Sequence, residues 1–160
     1  MTLIVSDNSP LNVLIRIDCQ DILPKLFDQI LIPPEVAEEM AHPAAPAVIQ
    51  EFVRHLPPWL SIQSPTRILP LPGLDLGERA AISLAIEIKA PLLIDELSGR
   101  RIAKAQGVDV IGAVGVLERA ADVGLIVDLA TAHQNIRSLN FHIGEDVLSQ
   151  SLARHLAGKQ

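Results

Sequence analysis

The chain has 160 residues, 49% of them apolar but only 2% aromatic, and a formal net charge of −6. That length fits one domain, and so much Leu, Ile, Val and Ala excludes intrinsic disorder. The acidic balance argues against tight nonspecific nucleic-acid binding, which rests on Lys and Arg, and no apolar run approaches the roughly 20 residues that span a membrane.

In chain order, Leu3-Ile4-Val5 reads as a short buried strand. Ser6-Asp7-Asn8-Ser9-Pro10 then supplies turn and helix-start chemistry, because Pro10 fits a first turn, where its missing N–H costs little. The apolar spacing from Leu11 to Ile17 predicts a helix, and Pro24 starts a short helical turn through Leu26 and Phe27. Cys19, the one cysteine, excludes an intrachain disulfide and fits a reducing cytoplasm. It lies among apolar residues and reads as a small buried hydrophobe rather than a nucleophile. No basic region, apolar stretch and cleavage site opens the chain, so no signal peptide is expected and the expected location is cytoplasmic.

Ile30-Leu31-Ile32 is the second strand. Pro33-Pro34 stops it and opens a helix from Glu35 to about Ala41. A further helix is expected from Ala47 to His55, and a strand, at an edge, from Trp59 to Gln63. Ser64 to Leu74 is expected to be a mobile loop, since it holds Pro65, Pro70, Pro72 and Gly73. Its Ile68, Leu69, Leu71 and Leu74 suit a covering or partner-contacting role. Asp75 to Lys89 is the clearest helix. Leu92-Leu93-Ile94 is a third buried strand, and Ser98 to Gln106 a helix closed by Gly107. Val108 to Ile111 is another parallel strand, followed by a helix from Val114 to Val123 that Gly124 stops. Asp128 to Leu139 and Gly144 to Ala157 are two more helices. Alternating strands and helices, joined by right-handed crossovers, predict an α/β fold. The expected architecture is a three-layer α/β/α sandwich with a mainly parallel, Rossmann-like sheet, formed by residues 1–160 as one domain.

Carboxylates recur where this scheme puts strand ends and helix starts: Asp7, Glu39, Glu78, Asp95 and Glu96. In a parallel sheet the carboxyl ends of the strands face one crevice, where ligands bind. Acids gathered there repel one another unless a cation neutralises them, and hard divalent ions prefer such oxygen ligands. Bound metal would also cancel the negative charge locally, so the global sign does not exclude a nucleic-acid substrate. Each acid has a structural alternative. Asp7 reads as a metal ligand or as a helix N-cap. Glu35, Glu38 and Glu39 suit the dipole of a helix start, and only one of Glu35 and Glu39, a turn apart, need face the crevice. Asp75-Leu76-Gly77-Glu78 matches a capping box, which leaves Glu78 between cap and site. Asp95 and Glu96 end a strand, with Arg100 and Arg101 close enough in sequence to pair with them.

Other chemistries lack their motifs. There is no P-loop, no G-x-G-x-x-G after a strand and no G-x-S-x-G elbow. His42, His55, His133, His142 and His155 are scattered without metal-binding spacing and are expected mostly at the surface. A haloacid-dehalogenase phosphatase would need Asp where Ser9 stands, and a receiver domain would need Lys after Ile111, where Gly112 stands.

Ser6-Asp7-Asn8-Ser9-Pro10-Leu11 resembles the opening of a PIN domain, and Val36-Ala37-Glu38-Glu39 resembles its second acidic motif. Asp75-Leu76-Gly77-Glu78-Arg79-Ala80-Ala81-Ile82, Leu93-Ile94-Asp95-Glu96, Gly99-Arg100-Arg101-Ile102-Ala103 and Gly112-Ala113-Val114-Gly115-Val116-Leu117 are similar to a prokaryotic PIN-like subgroup. The resemblance covers about residues 1 to 125. It implies a Mg²⁺- or Mn²⁺-dependent endoribonuclease with Asp7, Glu39, Glu78 and Asp95 or Glu96 as its metal-holding, catalytic acids. Many such proteins are toxins held by a small antitoxin protein, and many are dimers. Glu78 stands where many PIN domains have Asp, and Asp95-Glu96 replaces the more usual Thr-x-Asp, so the choice between those two stays open. Arg100, Arg101 and Lys104 are then the expected contacts to the RNA backbone, or else a solvated face paired with nearby acids. A homodimer is expected, and the rival function is a non-catalytic PIN-like module that holds protein or RNA without cutting.

Overall fold

Short runs of Leu, Ile and Val that no polar face interrupts belong to strands covered on both sides. The structure, a computed structural model, describes residues 2–139 and 144–158 and uses these runs in that way. The elements are β1 (Leu3–Ser6), α1 (Asn8–Arg16), α2 (Leu23–Leu26), β2 (Gln29–Ile32), α3 (Pro34–Ala41), α4 (Ala47–Arg54), β3 (Leu60–Ile62), α5 (Leu76–Ile88), β4 (Leu92–Leu93), α6 (Leu97–Ala105), β5 (Val110–Ile111), α7 (Ala113–Asp122), α8 (Leu129–Arg137) and α9 (Glu145–Ala157). Five strands form one sheet in the order β3-β2-β1-β4-β5. Every pairing is parallel, with Val5 opposite Leu31 on one side and Leu92 on the other. The expected sandwich is therefore present, and its sheet is wholly rather than mainly parallel. β3 lies at an edge, as expected.

The chain runs outward from β1 through β2 to β3, then returns across β1 to β4 and β5. The order thus reverses between β1 and β4, and a crevice opens at their carboxyl ends, where ligands of such sheets bind. α1 packs on α3, α4 and α7, while α5 packs on β1, α3 and α6. The core between them is aliphatic, with Ile4, Leu14, Ile30, Ile82, Leu84 and Leu92 fully enclosed. Gly107 and Gly124 end α6 and α7 with φ of +81° and +82°, conformations that a side chain would strain.

Several expectations need correction. α1 begins at Asn8 rather than Leu11, because its first turn accepts Pro10 at no hydrogen-bonding cost. The 3₁₀ turn Gln20–Ile22 was not anticipated. The segment from Ser64 to Leu74 is tied along α5: Thr66 bonds Glu87, the Leu69 N–H donates to Ser83 Oγ at 2.9 Å, and Arg79 Nε donates to the Leu69 carbonyl at 3.0 Å. Leu71 and Leu74 pack on the core, so the covering role holds. His42 and His55 are exposed, but His133 and His155 are buried between the last helices. His155 Nδ1 lies 2.6 Å from Asp122 Oδ1, which satisfies the ring where α9 meets α7. His142 lies outside the described residues. Cys19 is half-buried against the core, and burial pushes its thiol up, away from nucleophilic chemistry. No described helix is long and apolar enough to cross a membrane.

Candidate active site

Four helices begin at the carboxyl edge of the sheet, and each presents unpaired N–H groups to the crevice. The acids collect on these groups. Asp7 closes β1, is 3% exposed, and receives the Asn8 N–H at the start of α1. It makes no conventional capping bond, so capping does not explain its burial. Glu39, in the last turn of α3, receives the Gly77 N–H of α5 and a bond from the Asn8 side chain. Glu38 on the same helix is exposed.

Glu78 does both things its sequence allowed. The Glu78 N–H donates to Asp75 Oδ1 at 2.8 Å, and Glu78 Oε1 accepts from the Asp75 N–H at 3.3 Å, which completes the capping box. Its second oxygen, Oε2, is buried with no hydrogen-bond partner. Asp95 repeats the pattern. Its Oδ1 accepts the Ala113 N–H at 2.8 Å, which holds the start of α7, and its Oδ2 is buried and unpartnered. Glu96 is exposed, caps α6 through the Gly99 N–H at 2.8 Å, and leans on Glu78.

Three glycines make room for these carboxylates. A Cβ on Gly77 would collide with the carboxylate of Glu39. One on Gly99 would stand 3.1 Å from Glu78 Oε2, and one on Gly112 would stand 2.6 Å from Asp95 Oδ1. Gly77 and Gly99 lie inside helices, where glycine costs about 1 kcal/mol relative to Ala. At Gly77 the close approach of the Glu39 carboxylate accounts for that cost, while at Gly99 a Cβ would first meet Ile94 Cδ1 at 2.6 Å and then Glu78.

The charges oppose one another. Burial, and then the negative field of Glu39, Asp75 and Asp95, lift Asp7 to about 7, against the pull of the Asn8 N–H. Burial and contact with Asp75 raise Glu78 to about 8, with Asp7 adding to the effect. Glu39 rises through burial and Asp75, while Asp95 rises through burial against the opposing Ala113 N–H and Arg100. Glu96 alone of the expected acids is lowered, chiefly by the Gly99 N–H. Asp7, Glu39, Glu78 and Asp95 therefore share one electrostatic site, and Asp75 joins them at its mouth. Asp75 was expected only as a cap. Its place beside Glu39 and Asp7 depends on where α5 lands against α3 and β1, which local spacing does not reveal.

Among the expected basic contacts, Arg100 turns inward and donates from Nη1 to the Ile94 carbonyl at 2.9 Å, beside Asp95. Arg101 and Lys104 are exposed on α6.

The donor set suits a hard divalent cation: carboxylate oxygens, two of them buried without partners, in a field of mutual repulsion that a cation would relieve. Among the described residues, no three His, Cys, Asp or Glu side chains already converge as a closed ligand set. Glu78 gives the sharpest local test. Glu78→Gln keeps an oxygen for the capping box but loses the charge at the free position. We expect Mn²⁺ affinity to fall about 10- to 100-fold, while thermal stability changes by no more than the 0.5–2 kcal/mol of a cap, about. Calorimetric Mn²⁺ binding and a melting curve separate the two, and a lower melting point with unchanged binding would leave Glu78 as a cap only.

The family model described as a PIN domain matches residues 3–156, which extends the resemblance through α8 and into α9. No curated protein matches the chain.

Proposed function

We propose, from the premise that this chain belongs to the PIN-domain family, that it is a metal-dependent endoribonuclease. The observation that carries the reading is the pair of bare, buried carboxylate oxygens, Glu78 Oε2 and Asp95 Oδ2, in a crevice whose acids raise one another. Asp7, Glu39, Glu78 and Asp95 would hold Mg²⁺ or Mn²⁺. Asp95 is preferred to Glu96 as the fourth acid, because Asp95 acts on Asp7 while Glu96 spends its charge on the cap of α6. Such an ion supplies Lewis acidity, lowering the pKa of water and offsetting phosphate charge.

The protein's part is to keep the acids in place with one oxygen and offer the other. The Ala113 N–H fixes Asp95, the Asp75 N–H fixes Glu78, and Asn8 with Gly77 fixes Glu39. Arg101 and Lys104 lie free on α6 for the RNA backbone, and Arg100 contributes from beside Asp95. Residues 1–160 are taken as one domain, supported by the single sheet and by a match that runs almost end to end. The test is a circular single-stranded RNA, which only internal cleavage can open. Linear product in Mn²⁺ and none in EDTA is the expected result. A circle that survives in Mn²⁺ would favour the second reading, a non-catalytic module, whose support is the lack of a closed ligand set among the described residues.

The roles of toxin, with a small antitoxin protein as partner, and of a cytoplasmic enzyme follow from the family resemblance and the lone cysteine. The homodimer has support from the molecule itself. Val123, Val127 and Leu156, on or beside the last helices, are 66%, 97% and 53% exposed, and they are the apolar side chains that a pairing through these helices would cover. A C₂ pair is the expected form. Light scattering at micromolar concentration should give twice the chain mass, and a monomer mass at all concentrations would remove the dimer.

A further inference from the structure

Beside the acidic crevice, on the far side of Asp95, a cleft of about 510 Å³ opens between α6, α7 and α9. Its walls are aliphatic: Leu97, Ile111, Val114 and Val147, with Leu97 67% and Val147 46% exposed. Its inner rim is polar. Arg100 brings a guanidinium that spends only Nη1, on the Ile94 carbonyl, and Arg154, bonded to Glu118, also lines the cleft. Two other cavities, of about 370 and 330 Å³, open near Pro91 at the amino ends of the strands, away from the acids.

We infer that this cleft seats one unpaired nucleobase of the RNA, next to the phosphate held at the acidic crevice. The inference rests on the ribonuclease reading and deepens it, since it names what selects the RNA. A base has two apolar faces and an edge of donors and acceptors. The aliphatic walls match the faces, and the Arg100 guanidinium matches acceptors on the edge. The volume lies within the range of small-molecule sites, about 300–1,000 Å³. Asp95 belongs to both the cleft and the acidic site, so a base in the cleft lies beside the place where its own phosphate would be held. With 13 basic against 19 acidic residues, the chain has little general attraction for phosphates, and packing on a base supplies affinity that does not depend on charge. Among the described residues no aromatic side chain lines the cleft, and its aliphatic walls take the packing role.

The test reads binding rather than cleavage, in Asp7→Asn protein so that the RNA stays whole. Short labelled single-stranded RNAs, each with one abasic ribose at a different position, are titrated by fluorescence anisotropy. The protein carries either no further change, Val147→Trp to fill the cleft, or Leu97→Asp to charge its exposed rim. One abasic position should weaken binding roughly tenfold, the size expected from burying part of one base's apolar surface. Each cleft variant should weaken binding of intact RNA to a similar degree and add nothing to the loss at that abasic position. Leu97 is so exposed that its variant keeps the test valid if Val147→Trp fails to fold. Variants that bind intact RNA as the parent does, penalties that multiply, or a parent indifferent to every base would overturn the assignment and leave the cleft to a protein partner. Base-dependent binding by a chain that cuts no RNA would sustain the cleft while removing the nuclease. Cleavage by the native chain with unaltered binding in both cleft variants would do the reverse.

Discussion

Asp7→Asn should abolish metal-dependent RNA cleavage and, in the absence of metal, make the protein more stable. The first effect follows from removing a charged donor at the centre of the acidic site. A loss of several kcal/mol of metal-derived stabilisation corresponds to about a thousandfold or more in rate. The second follows from burial. Asp7 is 3% exposed and its carboxyl is pushed up to about 7, so above neutral pH the folded protein encloses a charge that its surroundings resist. Asparagine has nearly the same shape and never ionises. The melting temperature in EDTA at pH 8 should therefore rise by a few degrees, at about 2–4 °C per kcal/mol for a chain of this size. Activity and stability moving in opposite directions is a signature that a merely structural residue would not produce. A mutant that keeps wild-type cleavage, or that loses it together with its fold, would remove Asp7 from the site.

The second large effect is on pH. Asp7 rises from 3.8 to about 7 on folding and Glu78 from 4.5 to about 8. Both shifts are upward, so the stability they carry is complete below about pH 4, where the folded and unfolded chains are both protonated. As pH rises from there, the unfolded chain gives up its protons while the folded chain keeps them. The metal-free protein must therefore lose stability until both groups have ionised, near pH 8. Metal binding runs the other way, because an ion must displace those protons. Mn²⁺ affinity should climb up to about tenfold per pH unit for each proton displaced, and level off above pH 8. Melting curves in EDTA and calorimetric titrations at pH 6, 7 and 8 would check both slopes. Affinity that is flat over that interval would mean that the ion, if bound, sits elsewhere.

The sheet was legible because its strands are written almost entirely in Leu, Ile and Val, with prolines and glycines at their ends. Asp7, Glu78 and Asp95 stood out as candidates because each follows such a run or opens a helix, whereas Glu39, expected near a helix start, lies in the last turn of α3 and meets the others only through the fold. What sequence spacing could not carry was depth and neighbourhood. Asp75 was a plain cap until α5 was seen to start against Glu39. Asp95 and Glu96 look alike in sequence, and only the fold turns the first inward and leaves the second exposed as the cap of α6. His133 and His155 are polar letters inside an otherwise ordinary helical pattern, and only the packing of α7, α8 and α9 buries them. A usable signal did exist at Gly77 and Gly99. Both sit in the first turn of a helix, and a Cβ at either would crowd a neighbour: Glu39 at Gly77, and Ile94 with Glu78 at Gly99.

The central claim is that these acids hold a divalent ion that cuts RNA. It is tested most directly by titrating Mn²⁺ into purified protein with an end-labelled single-stranded RNA and sizing the products. The account predicts internal fragments that increase with Mn²⁺, vanish in EDTA and are absent with Asp7→Asn at every ion concentration. RNA that stays whole at saturating Mn²⁺, or that is cut equally well by the wild type and by Asp7→Asn, would contradict it.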